Sequence, residues 1–197
     1  LSDQGILVRR LDDRTLLLAR GSSAATAWAV YGLVEAYGVT YLLHNDIFPE
    51  DPGPFRLLEI DLILEPTLRL RSWRQFNDLP TGPALWSLEQ QQIFIRQIFK
   101  LKYNGIYLCM WPHHPFVDFS ARGIRRQTAC LLFGQQIPIG PDNIGRQHLP
   151  DMPVLDNPEL FGARTYAEKL TAGRRLIEGI LQQADFFQMR TAIHFQP

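Results

Sequence analysis

The chain is poor in cysteine, in net charge and in long apolar runs. Of its 197 residues two are cysteines, Cys109 and Cys130. Two are too few for a disulfide framework, and neither stands in a metal-ligand spacing, so no metal and no cofactor is expected. Cys109 falls inside a continuous apolar stretch, where a thiol is an inert core side chain. Lys and Arg total 20, Asp and Glu total 20, and the formal net charge is zero. That balance argues against a nucleic-acid partner held by a broad basic surface. No run of about 18 apolar residues occurs, so no membrane span is expected. No signal peptide is visible, and no repeat beyond a strand–helix rhythm. The sequence starts at Leu1 and stops in a strand at residues 192–197, an odd end for an α/β domain. The expectation is therefore an amino-terminal fragment of a longer protein, its compartment and oligomeric state open.

What is present centres on residues 69–111. Leu68, Leu70, Ser72 and Trp73 read as a strand, and Asn77, Asp78 and Thr81-Gly82-Pro83 as the loop after it. Ser87 and Gln90 stand as N-cap and N3 of a capping box. Phe94, Ile95, Ile98, Phe99 and Leu101 follow at helical spacing, with Arg96, Lys100 and Lys102 on the outer side. Tyr103-Asn104-Gly105 stops the helix. Ile106-Tyr107-Leu108-Cys109-Met110 is an unbroken apolar run, as in a parallel strand buried on both faces. Strand, helix, strand at this spacing is a βαβ unit. Its polar residues collect just past the strands: Arg74, Asn77 and Asp78, then Trp111, His113 and His114. In α/β folds sites are built at that end.

Upstream, Ile6-Leu7-Val8 and Leu16-Leu17-Leu18 flank Asp12-Asp13 as a hairpin. Ser23 caps a helix with Ala27, Val30, Tyr31 and Val34 as its stripe and Gly38 as its stop. Strands are expected at residues 39–43 and 57–64. Residues 1–65 thus form a small α+β domain, a sheet with a packed helix, bounded at Glu65-Pro66. Residues 66–197 form the second domain. Its long connection, 111–164, is too apolar for a floppy linker and reads as an ordered insertion with a short hairpin. Thr165 and Glu168 repeat the capping box. Leu176, Ile177, Ile180, Leu181 and Ala184 make the buried stripe of the next helix, and residues 189–195 a third strand. Gln188 stands where Gly would close that helix more easily.

Four segments together resemble the family 67 glycoside hydrolases, the α-glucuronidases, and more distantly the family 20 β-hexosaminidases. They are residues 24–43, Leu70-Arg71-Ser72-Trp73-Arg74-Gln75-Phe76-Asn77-Asp78, Asn104-Gly105-Ile106-Tyr107-Leu108, and residues 189–197. The resemblance implies an α/β fold in which the small domain precedes the first three strands of a truncated (β/α)8 TIM barrel. It implies a carbohydrate substrate and hydrolysis of O-glycosyl bonds, with the catalytic carboxylates beyond residue 197. Within the chain Asp78 and Asp118 are the only acids in plausible positions for the two carboxyl groups that glycoside hydrolysis uses. A β-hexosaminidase-like hydrolase and a noncatalytic carbohydrate-binding protein stand as alternatives, as does a small α/β enzyme using His113 or His114 as base.

The candidate substrate-binding residues are Arg71, Asn77, Asp78, Trp111, His113 and His194, each with a structural alternative. The planar fork of Arg71 suits a sugar hydroxyl or a uronate, or an internal ion pair. Asn77 and Asp78 suit sugar hydroxyls or an Asx turn. Trp111 suits an aromatic platform or core packing. His113 and His114, in an extended segment, would point opposite ways. His194, near a strand end, is a site residue or a satisfied core histidine.

Overall fold

The computed structural model describes residues 1–76, 82–144, 146–148 and 152–195. Asn77 and Asp78 fall outside them. The chain is mixed α/β, and among the described residues its strands do not close into a barrel. No helix is long and apolar enough to cross a membrane among the same residues.

Two compact units are woven from the chain. The first comprises Leu1–Trp73, Ile93–Gly105 and Ala184–Arg190, the second Arg74–Gln92, Ile106–Gln183 and Thr191–Pro197. Residues 1–65 lie wholly within the first.

In the first unit β1 (Ile6–Arg10) is the centre of a three-stranded sheet, antiparallel to β2 (Leu16–Arg20) on one side and β5 (Asp61–Leu64) on the other. The strand expected from residue 57 therefore starts at Asp61. The turn between β1 and β2 is set by Asp12, which accepts the Arg14 N–H at 2.7 Å. Ile6 and Val8 point inward under α1 (Ser23–Ala36). Ser22, one residue before the expected cap, accepts the Ala25 N–H at 3.3 Å and starts that helix. The buried stripe of α1 is Ala25, Trp28, Ala29 and Gly32, and Val30 is exposed. The helix is apolar on nearly every side, so periodicity could not choose its inner face. The bulk of Trp28 chooses it: the indole sits 5.6 Å from the Phe99 ring and donates Nε1–H to the Phe99 carbonyl at 3.0 Å. A two-stranded ladder, β3 (Thr40–Tyr41) with β4 (Asp46–Ile47), completes the unit's sheet structure. Lys100 and Gln97 grip it through Asp46 at 2.5 and 2.8 Å.

A second three-stranded sheet has the order β12 (Arg190–Phe195), β7 (Gly105–Met110), β6 (Ser72–Phe76). The starts of these strands are tied in a row: the Asn104 N–H donates to the Arg71 carbonyl at 3.0 Å and the Arg190 N–H to the Asn104 carbonyl at 2.9 Å. With their starts side by side the strands run the same way. A helix joins each consecutive pair, α2 (Leu88–Lys100) and then α3 (Tyr166–Phe186), as parallel neighbours require. Both helices open on the capping boxes expected. Ser87 Oγ accepts from the Gln90 N–H at 3.2 Å while Gln90 Oε1 accepts from the Ser87 N–H at 2.9 Å. Thr165 Oγ1 and Glu168 Oε2 exchange the same bonds at 3.2 and 2.9 Å. Gln188 closes α3 with φ 54°, in the left-handed region.

In the second unit β7 is buried almost throughout, Cys109 included. The insertion after it is ordered by two hairpins, β8 (Ser120–Ala121) with β9 (Ile124–Arg125) and β10 (Ile137–Pro138) with β11 (Val154–Leu155). Asn157, fully buried, donates Nδ2–H to the carbonyls of Ala84 and Trp86 at 2.9 and 3.0 Å.

Candidate functional site

Residues 111–114 leave β7 as a tight turn and not as the extended segment expected. The His114 N–H donates to the Trp111 carbonyl at 3.0 Å, and His114 Nδ1 accepts the Trp111 N–H at 3.2 Å. His113 and His114 accordingly share one cluster, their rings 4.9 Å apart and nearly perpendicular. His114 is fully buried and His113 half-buried.

Two devices fix this turn. A Cβ on Gly173 of α3 would come within 2.4 Å of the Pro115 carbonyl oxygen, so only glycine lets the turn seat against the helix there. Arg126 gathers the outer carbonyls, donating Nη1–H to His114 O at 2.7 Å and to Pro112 O, and Nη2–H to Val117 O. Its guanidinium also lies over the rings of Phe119 and Tyr166 at 5.2 and 5.6 Å. Asp118 is committed beside it, accepting from Arg125 and from the Tyr166 hydroxyl at 2.7 Å each. Those two bonds hold its carboxyl below the usual range. With both oxygens occupied by donors, Asp118 suits an anchoring role and not that of a general acid.

Trp111, for which the sequence allows an aromatic platform or core packing, belongs to a group of rings. Phe133 meets Trp111 edge-on at 5.6 Å and lies tilted to His113 at 5.2 Å. Trp111 is half-buried, whereas Phe133 is 48% exposed, so Phe133 carries the open face. In the sequence it is one of the several apolar residues that make the 111–164 connection too apolar for a floppy linker. Its backbone marks it: Leu132, Phe133 and Gly134 are consecutive left-handed residues at φ 55°, 55° and 69°. For Leu and Phe this conformation costs roughly 1–2 kcal/mol each. Such strain persists only where the surroundings impose it, and it clusters at functional sites.

The same turn forms one wall of a cleft of about 300 Å³, lined by polar groups more than apolar ones. Cys130, Gln135 and Gln136 stand on that wall, and Asp156, Arg164 and Lys169 also line the cleft. The Cys130 N–H donates to the His113 carbonyl at 2.9 Å, which ties the cleft wall to the aromatic turn. Neither Arg164 nor Lys169 forms an ion pair among the described residues. Burial pushes the Asp156 carboxyl above its usual range, opposed by the Asn157 N–H at 2.7 Å and the Lys169 charge. The cleft is thus a concave site with two cations, two amides and an acid, and Phe161, 37% exposed, is the aromatic ring on its lining. Of these cleft residues the sequence singled out only Cys130, because Gln135, Gln136, Asp156 and Arg164 are ordinary surface types in a connection without periodicity and Lys169 is an ordinary surface type near the start of α3.

Arg71 lies in the first unit, at the start of β6. Its Nε–H donates to Lys102 O at 2.7 Å, and its Nη1–H groups to Gln4 Oε1 at 2.7 Å and Leu68 O at 2.6 Å. It has no ion-pair partner among the described residues, so the internal ion pair considered for it is absent there. His194 is exposed on β12, its ring 6.1 Å from Tyr107, and is not a core histidine. The structure therefore joins Trp111 to His113 and adds Phe133, while Arg71 belongs to other surroundings. Among the described residues no group of His, Cys, Asp and Glu is arranged to hold a metal. No family model, no curated protein and no solved structure matches this chain.

Proposed function

We propose that this chain is the sugar-binding, amino-terminal part of an α-glucuronidase-like glycoside hydrolase, and that the cleft beside Phe133 receives an acidic sugar. The observation that carries the reading is one cleft that brings together two cations outside any ion pair among the described residues, Arg164 and Lys169, side-chain amides and the exposed Phe161 ring. A uronate asks for those parts. Its carboxylate needs cationic donors, its hydroxyls need amides, and the C–H face of its ring needs an aromatic surface. Three parallel strands joined by helices fit the opening of a (β/α)8 barrel, and Trp111 and His113 follow the carboxyl end of β7, where barrel enzymes place their sites. The two catalytic carboxylates lie outside the described residues, since Asp118 is fully engaged.

Calorimetric titration of the chain with methyl α-D-glucuronoside and methyl α-D-glucoside tests this. The uronate is expected to bind and the neutral sugar to bind at least tenfold more weakly. The double variant Arg164→Gln/Lys169→Gln should lose the preference and keep its fold by circular dichroism. Equal affinity for both sugars, or an unchanged preference in the variant, would overturn the reading.

A further inference from the structure

A second cavity, of about 310 Å³, lies wholly within the first unit and is of the opposite character, mostly apolar. Ile6, Leu64 and Leu101 line it together with Trp28, which is itself 3% exposed, and Arg71 stands in its wall. The guanidinium lies over the Trp28 indole at 5.3 Å. A guanidinium has five N–H donors. The Nε–H and both Nη1–H groups of Arg71 are taken by Lys102 O, Gln4 Oε1 and Leu68 O. Its Nη2 has no hydrogen-bond partner among the described residues. Three neutral acceptors leave the charge itself uncompensated, and a charge half-withdrawn from water beside apolar walls favours an anion. The one acid on the cavity, Glu65, accepts the Ser2 N–H at 3.1 Å. Burial lowers the Arg71 pKa, and no carboxylate acts against that shift.

We infer that this cavity binds a small monocarboxylate with an aliphatic tail, its carboxylate on Arg71 Nη2 and its tail against Ile6, Leu64 and Leu101. The volume is at the lower end of ligand pockets, which run from about 300 to 1,000 Å³, so the tail is short. Among the described residues only Nη2 is without an acceptor, so the carboxylate is held at one edge of the guanidinium and not by a two-pronged fork. The site is independent of the acidic-sugar cleft: it shares no residue with it and asks for an apolar body where the cleft asks for hydroxyls.

The test is calorimetric titration of the whole chain with hexanoate, hexanol and hexylamine. Hexanoate is expected to bind saturably, hexanol at least tenfold more weakly, and hexylamine not at all. Arg71→Gln should abolish the preference for hexanoate over hexanol. Because Arg71 also holds three backbone and side-chain acceptors, that variant can fail to fold, and Leu64→Gln, at a rim position 37% exposed, then serves. It should weaken hexanoate at least fivefold without altering the circular dichroism spectrum. The cleft variant Arg164→Gln/Lys169→Gln should bind hexanoate as the unaltered chain does. Equal binding of hexanoate and hexanol, no saturable hexanoate binding, or loss of binding in the cleft variant but not in Leu64→Gln would each overturn the proposal.

Discussion

Arg71 in the first unit and Arg164 and Lys169 in the second form no ion pair among the described residues, yet they are held in different ways. Arg71 is wedged against Trp28 with three donors on neutral oxygens, in an apolar cavity. Arg164 and Lys169 stand in a polar cleft with amides and the Asp156 carboxyl. The first arrangement fixes an arginine in one pose and leaves it a single open edge. The second leaves Arg164 exposed and Lys169 half-buried, among groups that can donate and accept hydrogen bonds. The contrast separates a site shaped by desolvation from one shaped by polar complementarity, and each can be broken without touching the other.

The largest effect is expected from Trp28→Ala. The substitution removes a buried indole, its bond to Phe99 and the floor under Arg71. Core aromatic truncations cost about 3–5 kcal/mol. Urea unfolding should show a loss of that order and titration should show no hexanoate binding, while any molecules still folded keep the uronate preference. A loss under about 1 kcal/mol would mean that the first unit does not depend on this indole.

Asp156→Asn should act next, and only on the polar side of the comparison. Burial raises the folded pKa of Asp156 above its ordinary 3.8, so the ionised form is disfavoured in the folded chain. Its stability contribution therefore improves as pH falls through the raised value and stops improving below 3.8. The asparagine variant lacks that dependence. It should melt higher than the unaltered chain at pH 7, with the difference vanishing toward pH 3.8. Parallel melting curves across that range would show that burial of this carboxyl costs nothing.

The smallest effect concerns the joint between α3 and β12. Gln188 sits at φ 54° and receives the Ser23 hydroxyl at 2.5 Å. Gln188→Gly relieves the left-handed strain and gives up that exposed bond. A net gain of up to about 1 kcal/mol in thermal or urea unfolding is expected. A net loss would give the Ser23 bond more weight than the strain.

This last position was legible in the sequence, and so was much of the framework. The capping residues Ser87, Gln90, Thr165 and Glu168 act locally, within one turn, and their bonds follow from four residues each. The stripes of α2 and α3 contrast sharply with their outer faces, and Ile98, Leu176 and Ile180 are fully buried. Helix α1 offered no such contrast, so its inner face was set by the size of Trp28 and not by any pattern. The site was less legible. Trp111 and His113 stood out because they follow an apolar strand. Phe133, Arg164 and Lys169 acquire meaning only through a strained turn and a cleft assembled from distant parts of the insertion and the start of α3. Asn77 and Asp78 lie outside the described residues.

Strand β12 has one further consequence. All six of its residues are exposed, with Ile193 and Phe195 at 54% and 44%, and β7 is its one neighbour in the sheet among the described residues. An open strand edge is a template for another strand. The sequence isoelectric point is about 7.1, so at neutral pH no net charge holds two copies apart. Below that isoelectric point the molecule as a whole becomes positive, and repulsion between copies grows. Mildly acidic buffer of low ionic strength therefore keeps this chain dispersed at concentrations where neutral, high-salt buffer lets the edges meet.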